Sequence, residues 1–126
     1  MTRFYPVPFY FSVPGSAING QVSKALFGAR QIAEAIFIFP GGTNLNLLYQ
    51  FFLLGQIPTN LTILPTQGEM TINEIVPGIY VGDAISYTIP FQYPIPTTSP
   101  YLGMFATNKT ASTLSAQAIA ILEAAS

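Results

Sequence analysis

Residues 84–95 read AISYTIPFQYPI, and no position breaks the alternation of Ile85, Tyr87, Ile89, Phe91, Tyr93 and Ile95 with Ala84, Ser86, Thr88, Pro90, Gln92 and Pro94. A period of two held over twelve residues is that of a strand with one face buried. RFYPVPFYFSV at 3–13 behaves likewise. Tyr5, Val7, Phe9, Phe11 and Val13 form one face, and Phe4, Pro6, Pro8, Tyr10 and Ser12 the other.

The prolines in these strands add a second constraint. Amides two residues apart point to the same edge of a strand, so Pro6 and Pro8 silence one edge of the first strand. Pro90, Pro94 and Pro96 do the same for the second. Such strands pair fully on one side only and are predicted at sheet edges, where proline also blocks edge-to-edge aggregation.

The stretch NLNLLYQFFLLGQIPTNLTILP at 44–65 carries no charge from Leu45 to Gly55. Its apolar run of about twelve residues is short of the roughly twenty that a transmembrane helix needs, and Gln50 interrupts it, so direct membrane insertion is not expected. As a strand it has one continuous apolar face: Leu45, Leu47, Tyr49, Phe51 and Leu53. The other face starts polar at Asn44 and Asn46 and ends apolar at Phe52 and Leu54, so its second half needs a cover, which we expect another subunit to supply. NLTILP and EMTINEI read as two further short strands, with Leu61, Ile63, Met70 and Ile72 inward and PTQG as the turn between them. Turns are also predicted at Asn19-Gly20, at 40–42 and at Pro77-Gly78.

Two segments have mixed signals. Residues 22–36 place Val22, Leu26, Ile32 and Ile36 at near-helical spacing, with Arg30 and Glu34 at i, i+4. Gly28 and the ending IFIF favour a pair of strands instead. The tail TLSAQAIAILEAA has helical propensity yet alternates, and it too reads as a strand. Eight to ten strands with turns every 8 to 12 residues predict an all-β, two-sheet antiparallel sandwich, jelly-roll or immunoglobulin-like, forming one domain over 1–126.

Charge bounds the partners. Only 7% of residues are charged, against about 25% in a typical soluble domain. Nine charges on a surface of roughly 6,600 Å² leave a neutral-polar exterior, partly covered by other subunits. Net charge is −1 and Arg3, Lys24, Arg30 and Lys109 are scattered, so no basic patch follows a nucleic-acid backbone. Pro6, Pro8 and Pro14 interrupt the first apolar run, which therefore reads as a structured strand and not a signal sequence.

Chemistry is sparse. With neither histidine nor cysteine, the commonest general base, thiol nucleophile and transition-metal ligands are missing. Ser23 and Lys24 are adjacent and would point to opposite faces of a strand, and no phosphate loop or nucleophile elbow occurs. Glu69, Glu74 and Asp83 read as turn residues without a calcium-loop pattern. Neither catalytic residues, nor a cofactor, nor a metal is predicted. Asn60-Leu-Thr62 and Asn108-Lys-Thr110 match the glycosylation sequon at near-chance frequency. Among the aromatics, Phe4, Tyr10 and Phe52 fall on outward faces by parity. With Leu54 they are the candidate subunit-interface residues.

RFYPVPFYFSVPGSAING and LYQFFLLGQIPTNLTILPTQGEM, with the overall chain length, resemble the penton base protein of tectiviruses, tailless icosahedral bacteriophages with an internal membrane. The resemblance implies a single jelly-roll of about eight strands that forms a homopentamer at the capsid's five-fold vertices. There it would anchor the receptor-binding spike and contact trimers of the major coat protein, so the implied location is the virion. The alternatives are an extracellular fibre subunit assembled by strand exchange, which needs an incomplete sheet, and a small carbohydrate-binding sandwich, which needs an open face of exposed aromatics.

Overall fold

The computed structural model describes residues 3–23, 29–65, 72–74, 79–95 and 101–124. All regular structure among them is β: β1 (Phe4–Val13), β2 (Ala17–Val22), β3 (Ala29–Phe39), β4 (Leu47–Leu54), β5 (Ile72–Glu74), β6 (Tyr80–Val81), β7 (Ile85–Pro94), β8 (Tyr101–Asn108) and β9 (Leu114–Ala124). One sheet has the order β1-β9-β3-β7, the other β2-β8-β4-β5, with β6 also on β4. Every pairing is antiparallel.

The pairing is nested: β1 with β9, β2 with β8, β3 with β7, and β4 with both β5 and β6. A single long antiparallel ribbon, rolled so that β9 also meets β3 and β8 also meets β4, gives this order. That is a single jelly-roll. β5 and β6 lie along the same edge of β4 and act as one interrupted strand, which brings nine segments to the predicted eight strands.

The core sits between the sheets and has a division of labour by size. Phe9, Phe37, Phe39, Tyr49 and Phe51 fill its middle, with Phe39 stacked on Tyr49 at 4.1 Å and Phe37 5.2 Å from Phe51. Of these, Tyr49 and Phe51 come from the other sheet, and β9 faces them with Ala116, Ala118 and Ala120, all fully buried, while Phe9 and Phe37 flank Ala118 within its own sheet. Small side chains on the central strand leave depth for rings from the other sheet, so volume stays matched across the core. This explains why an alanine-rich tail is a strand: its alternation fits the slot, and tertiary context overrides helical propensity.

The edge predictions hold for β1 and β7, which each pair on one side only. The Tyr10 amide, in phase with Pro6 and Pro8, turns away from β9 and donates to Gln21 Oε1 at 2.9 Å. Asn19 Nδ2 donates to Ser12 O at 2.8 Å, so two side chains of β2 cap the open edge of β1. On β7, Ile95 N donates to Arg30 O, which turns the neighbouring Pro94 nitrogen toward the free edge.

Several local expectations are corrected. Asn19-Gly20 is no turn but mid-strand in β2. The glycine is there because a Cβ would lie 2.6 Å from the Phe105 ring. Leu45 is not on β4. With Asn44 it has positive φ (63° and 50°) and is 57% exposed in the turn before the strand. NLTILP is not a strand. Asn60 Oδ1 accepts from Thr62 N and its hydroxyl, bending the chain into a loop in which Ile63 is exposed. The predicted turn at 40–42 is present, with Gly42 at φ 84°. Gly28, Met70, Pro96, residues 66–68 of PTQG and the turn at 77–78 lie outside the described residues.

Two buried polar groups hold the sandwich. Tyr49 Oη donates to Ile38 O at 2.8 Å and accepts from Gln117 N at 3.2 Å. Asn108, 1% exposed, donates through Nδ2 to Val13 O and Ser112 O and accepts at Oδ1 from Thr110 N and its hydroxyl. Asn108→Ala is expected to lower stability by about 3 kcal/mol, since it orphans buried partners; an unchanged urea midpoint would refute this. Burial pushes the Tyr49 pKa from 10.0 up to about 12, partly opposed by the Gln117 amide. The folded pKa exceeds the unfolded one, so the stabilisation is complete below pH 10.0 and is lost as pH rises toward about 12. Tyr5 and Tyr80 shift in the same direction through burial. Alkaline unfolding of Tyr49→Phe is therefore expected to be shallower than that of the parent, not absent.

Candidate assembly surface

The outer side of the β1-β9-β3-β7 sheet is assembled in rows by strand register. Tyr10 lies beside Gln117, Ile38 and Ser86; Pro8 beside Ile119, Ile36 and Thr88; Pro6 beside Ile121, Glu34 and Pro90. An antiparallel sheet with one wet face ordinarily turns polar residues outward. Here the two central strands turn four isoleucines outward, Ile36, Ile38, Ile119 and Ile121, each half-buried, while β9 keeps its alanines inside. Phe4 and Tyr10 flank them on β1, 59% and 66% exposed.

At one end of this face the sheet is irregular. The register of β3 shifts between Ile32 and Glu34 against both neighbours, and Gln92 on β7 adopts φ 49°. A bulge bends the strand locally and re-aims its side chains. The result is a hollow of ≈ 740 Å³ whose lining includes Phe4, Gln31, Glu34, Pro90, Ile121 and Glu123. Glu123 accepts a hydrogen bond from Gln31 Nε2 and lies 4.0 Å from the Arg30 guanidinium, which is 68% exposed. Among the described residues the Glu34 carboxylate has no such partner.

The outer side of the other sheet is closed by the chain itself. Phe52 and Leu54 point outward as parity predicts, but they are 8% and 0% exposed. They pack with Phe105 under Leu61 and Leu64 of the loop after β4, and the Phe52 and Phe105 rings meet edge-on at 5.8 Å. This corrects the expectation that another subunit covers them: the cover is the segment that sequence reading took for a further strand. Of the four candidate interface residues, Phe4 and Tyr10 are on open surface and share the four-stranded face; Phe52 and Leu54 are internal. None of the outward isoleucines is among the candidates read from sequence, because hydrophobicity alone does not tell a covered strand face from an open one. The signal was present in the tail, where the larger residue of each Ala-Ile pair has the parity opposite to the inward one.

Other candidate chemistry has structural work. Asp83 Oδ1 accepts from Gly42 N at 2.9 Å and Thr43 N at 3.4 Å, pinning the turn after β3. Glu69 lies outside the described residues, and no group of three or more His, Cys, Asp or Glu that could hold a metal ion occurs among those described. No helix among the described residues is long and apolar enough to cross a membrane. Of the two sequons, Asn60 is exposed, whereas the Asn108 carboxamide is committed inside the fold.

No protein-family model matches the sequence, and no curated protein matches it. Solved structures similar to the chain include the decameric BFDV capsid protein, 11% identical over 98% of this chain and 96% of that one, with a TM-score of 0.45. The infectious bursal disease virus VP2 subviral particle is 15% identical over 98% of this chain but only 33% of that one, TM-score 0.47. The Yersinia pseudotuberculosis-derived mitogen is 11% identical over 97% and 86%, TM-score 0.43. The fold assignment rests on the nested strand order, which is that of a single jelly-roll.

The two faces are expected to respond oppositely to a charge. Phe52→Glu places a carboxylate under the chain's own loop and is expected to destabilise the isolated subunit by about 3 kcal/mol or more. Tyr10→Glu is expected to change it by less than about 0.5 kcal/mol. Denaturant unfolding of both at low concentration distinguishes them; equal losses would remove the distinction between the faces.

Proposed function

We propose that this chain is a structural subunit of a virion, and that it occupies the five-fold vertex as a penton base. In this reading it is a homopentamer that carries the spike and contacts trimers of the major coat protein. One observation supports it most: the outer side of the β1-β9-β3-β7 sheet presents four isoleucines, Phe4 and Tyr10 among its polar residues, on a molecule that exposes 6633 Å² and has only four cations and five anions. Such a face is stable in water when neighbours cover it, and repeated coverage is what a closed shell supplies. The proline-interrupted edges of β1 and β7 fit the same reading, because they deter uncontrolled strand pairing while leaving the face free. The vertex position and its partners follow from the sequence resemblance, since a jelly-roll by itself hosts many functions.

A fibre subunit built by strand exchange is less well supported. β9 is paired on both sides, so among the described residues no slot beside it is vacant for a donor strand. No catalytic role is assigned.

Native mass spectrometry at micromolar concentration and moderate salt tests the reading. A closed five-subunit ring is expected. An open-ended ladder of oligomers would favour the fibre, and a monomer at every concentration would overturn the ring.

A further inference from the structure

The β1-β9-β3-β7 face is not uniform along its length. Its two carboxylates, Glu34 and Glu123, both lie at the hollow, and Glu34 has no partner there among the described residues. Apart from Arg30, which lies 4.0 Å from Glu123 at that end, the face contains no other charge up to the Tyr10 row. Its footprint, four strands wide and about seven residues long, is roughly 450 Å². That is about half of one partner's share of a standard interface.

At the opposite end of the sandwich is a cation in a complementary situation. Lys109 follows β8, is exposed, and makes no ion pair among the described residues, where Arg30 with Glu123 is the only such pair. Its turn is rigid. Lys109 N donates to Asn46 O at 2.8 Å, Ser16 N donates to Thr110 O at 2.9 Å, and Asn108 bonds Thr110 and Ser112. A pre-ordered turn loses little entropy on docking. The two groups cannot meet within one subunit: the nine residue steps of extended β9 from Leu114 to Glu123 span about 30 Å.

We propose that the outer face of the β1-β9-β3-β7 sheet docks a second copy of this chain, which seats its Lys109 turn in the Glu34–Glu123 hollow. The contact is heterologous: each subunit gives its turn to one neighbour and its hollow to the other. This is the arrangement that closes into a ring. The outward isoleucines are then covered by a surface as poor in charge as their own, and the hollow, at ≈ 740 Å³, has room for a turn tip flanked by Thr110 and Ala111. The inference rests on the reading of the chain as an assembly subunit and adds to it which two surfaces meet.

Charge exchange tests it. Assembly of the parent, Glu34→Lys, Lys109→Glu and the double variant is followed by native mass spectrometry and sedimentation, with thermal melting to check that each is folded. Each single variant is expected to weaken assembly at least about tenfold, and the double variant to recover most of it. Glu34→Gln and Lys109→Gln replace any variant that does not fold, with a smaller loss expected. Single variants that assemble like the parent, or a double variant no better than the singles, overturn the docking while leaving a ring-forming parent intact. A parent that is itself monomeric overturns both readings.

Discussion

The Tyr49 hydroxyl fixes the geometry on which the sandwich depends. In the register of β3 and β9, Ile38 and Gln117 are direct partners, yet the phenol is inserted between the Ile38 carbonyl and the Gln117 amide. A side chain from the five-stranded sheet thus completes the ladder of the four-stranded one. Two sheets that share a hydrogen bond of this kind cannot slide past each other without breaking a buried backbone pairing. The rings of Phe37 and Phe39 pack against Tyr49 and surround this tie with apolar contact.

The same tie accounts for the unusual polarity of β9. A phenol that must reach the backbone between β3 and β9 needs an unobstructed approach, and Ala116, Ala118 and Ala120 provide it. With the inner face reserved for small residues, the bulk of β9 is on its outer face, where Ile119 pairs across to Ile36. Core geometry and outer surface are therefore linked: the demand of one tyrosine for depth coincides with the apolar exterior on which assembly is argued.

Much of the fold was legible because its signals were local. Unbroken alternation located β1 and β7, and prolines in phase along them identified both as edges, since an amide's absence has the same consequence in any context. What was not legible depended on a distant partner. Asn19-Gly20 has turn chemistry, but Phe105 lies across the pairing to β8 and requires a glycine there. The loop after β4 reads as a strand by its apolar residues, but Ile63 is exposed and only Leu61 and Leu64 pack inward, on the outer cluster of Phe52 and not on the main core. Of the candidate residues, parity was enough to place Phe4 and Tyr10 on an outward, exposed face. It could not separate them from Phe52 and Leu54, because parity gives the face and not what lies above it.

The nested pairing also sets an order of events during synthesis. β9 is the last of the nine strands to emerge, yet it lies between β1, the first, and β3. Until residues 114–124 have been made, the four-stranded sheet is split in two, and β1 and β3 each expose an edge meant for β9. On β1 that edge is the proline-free one, since Pro6 and Pro8 point the other way. A nascent chain on a crowded polysome thus passes through a stage in which its permanent edge is guarded and its temporary edge is not. That exposure ends only when residues 114–124 have emerged and inserted between β1 and β3.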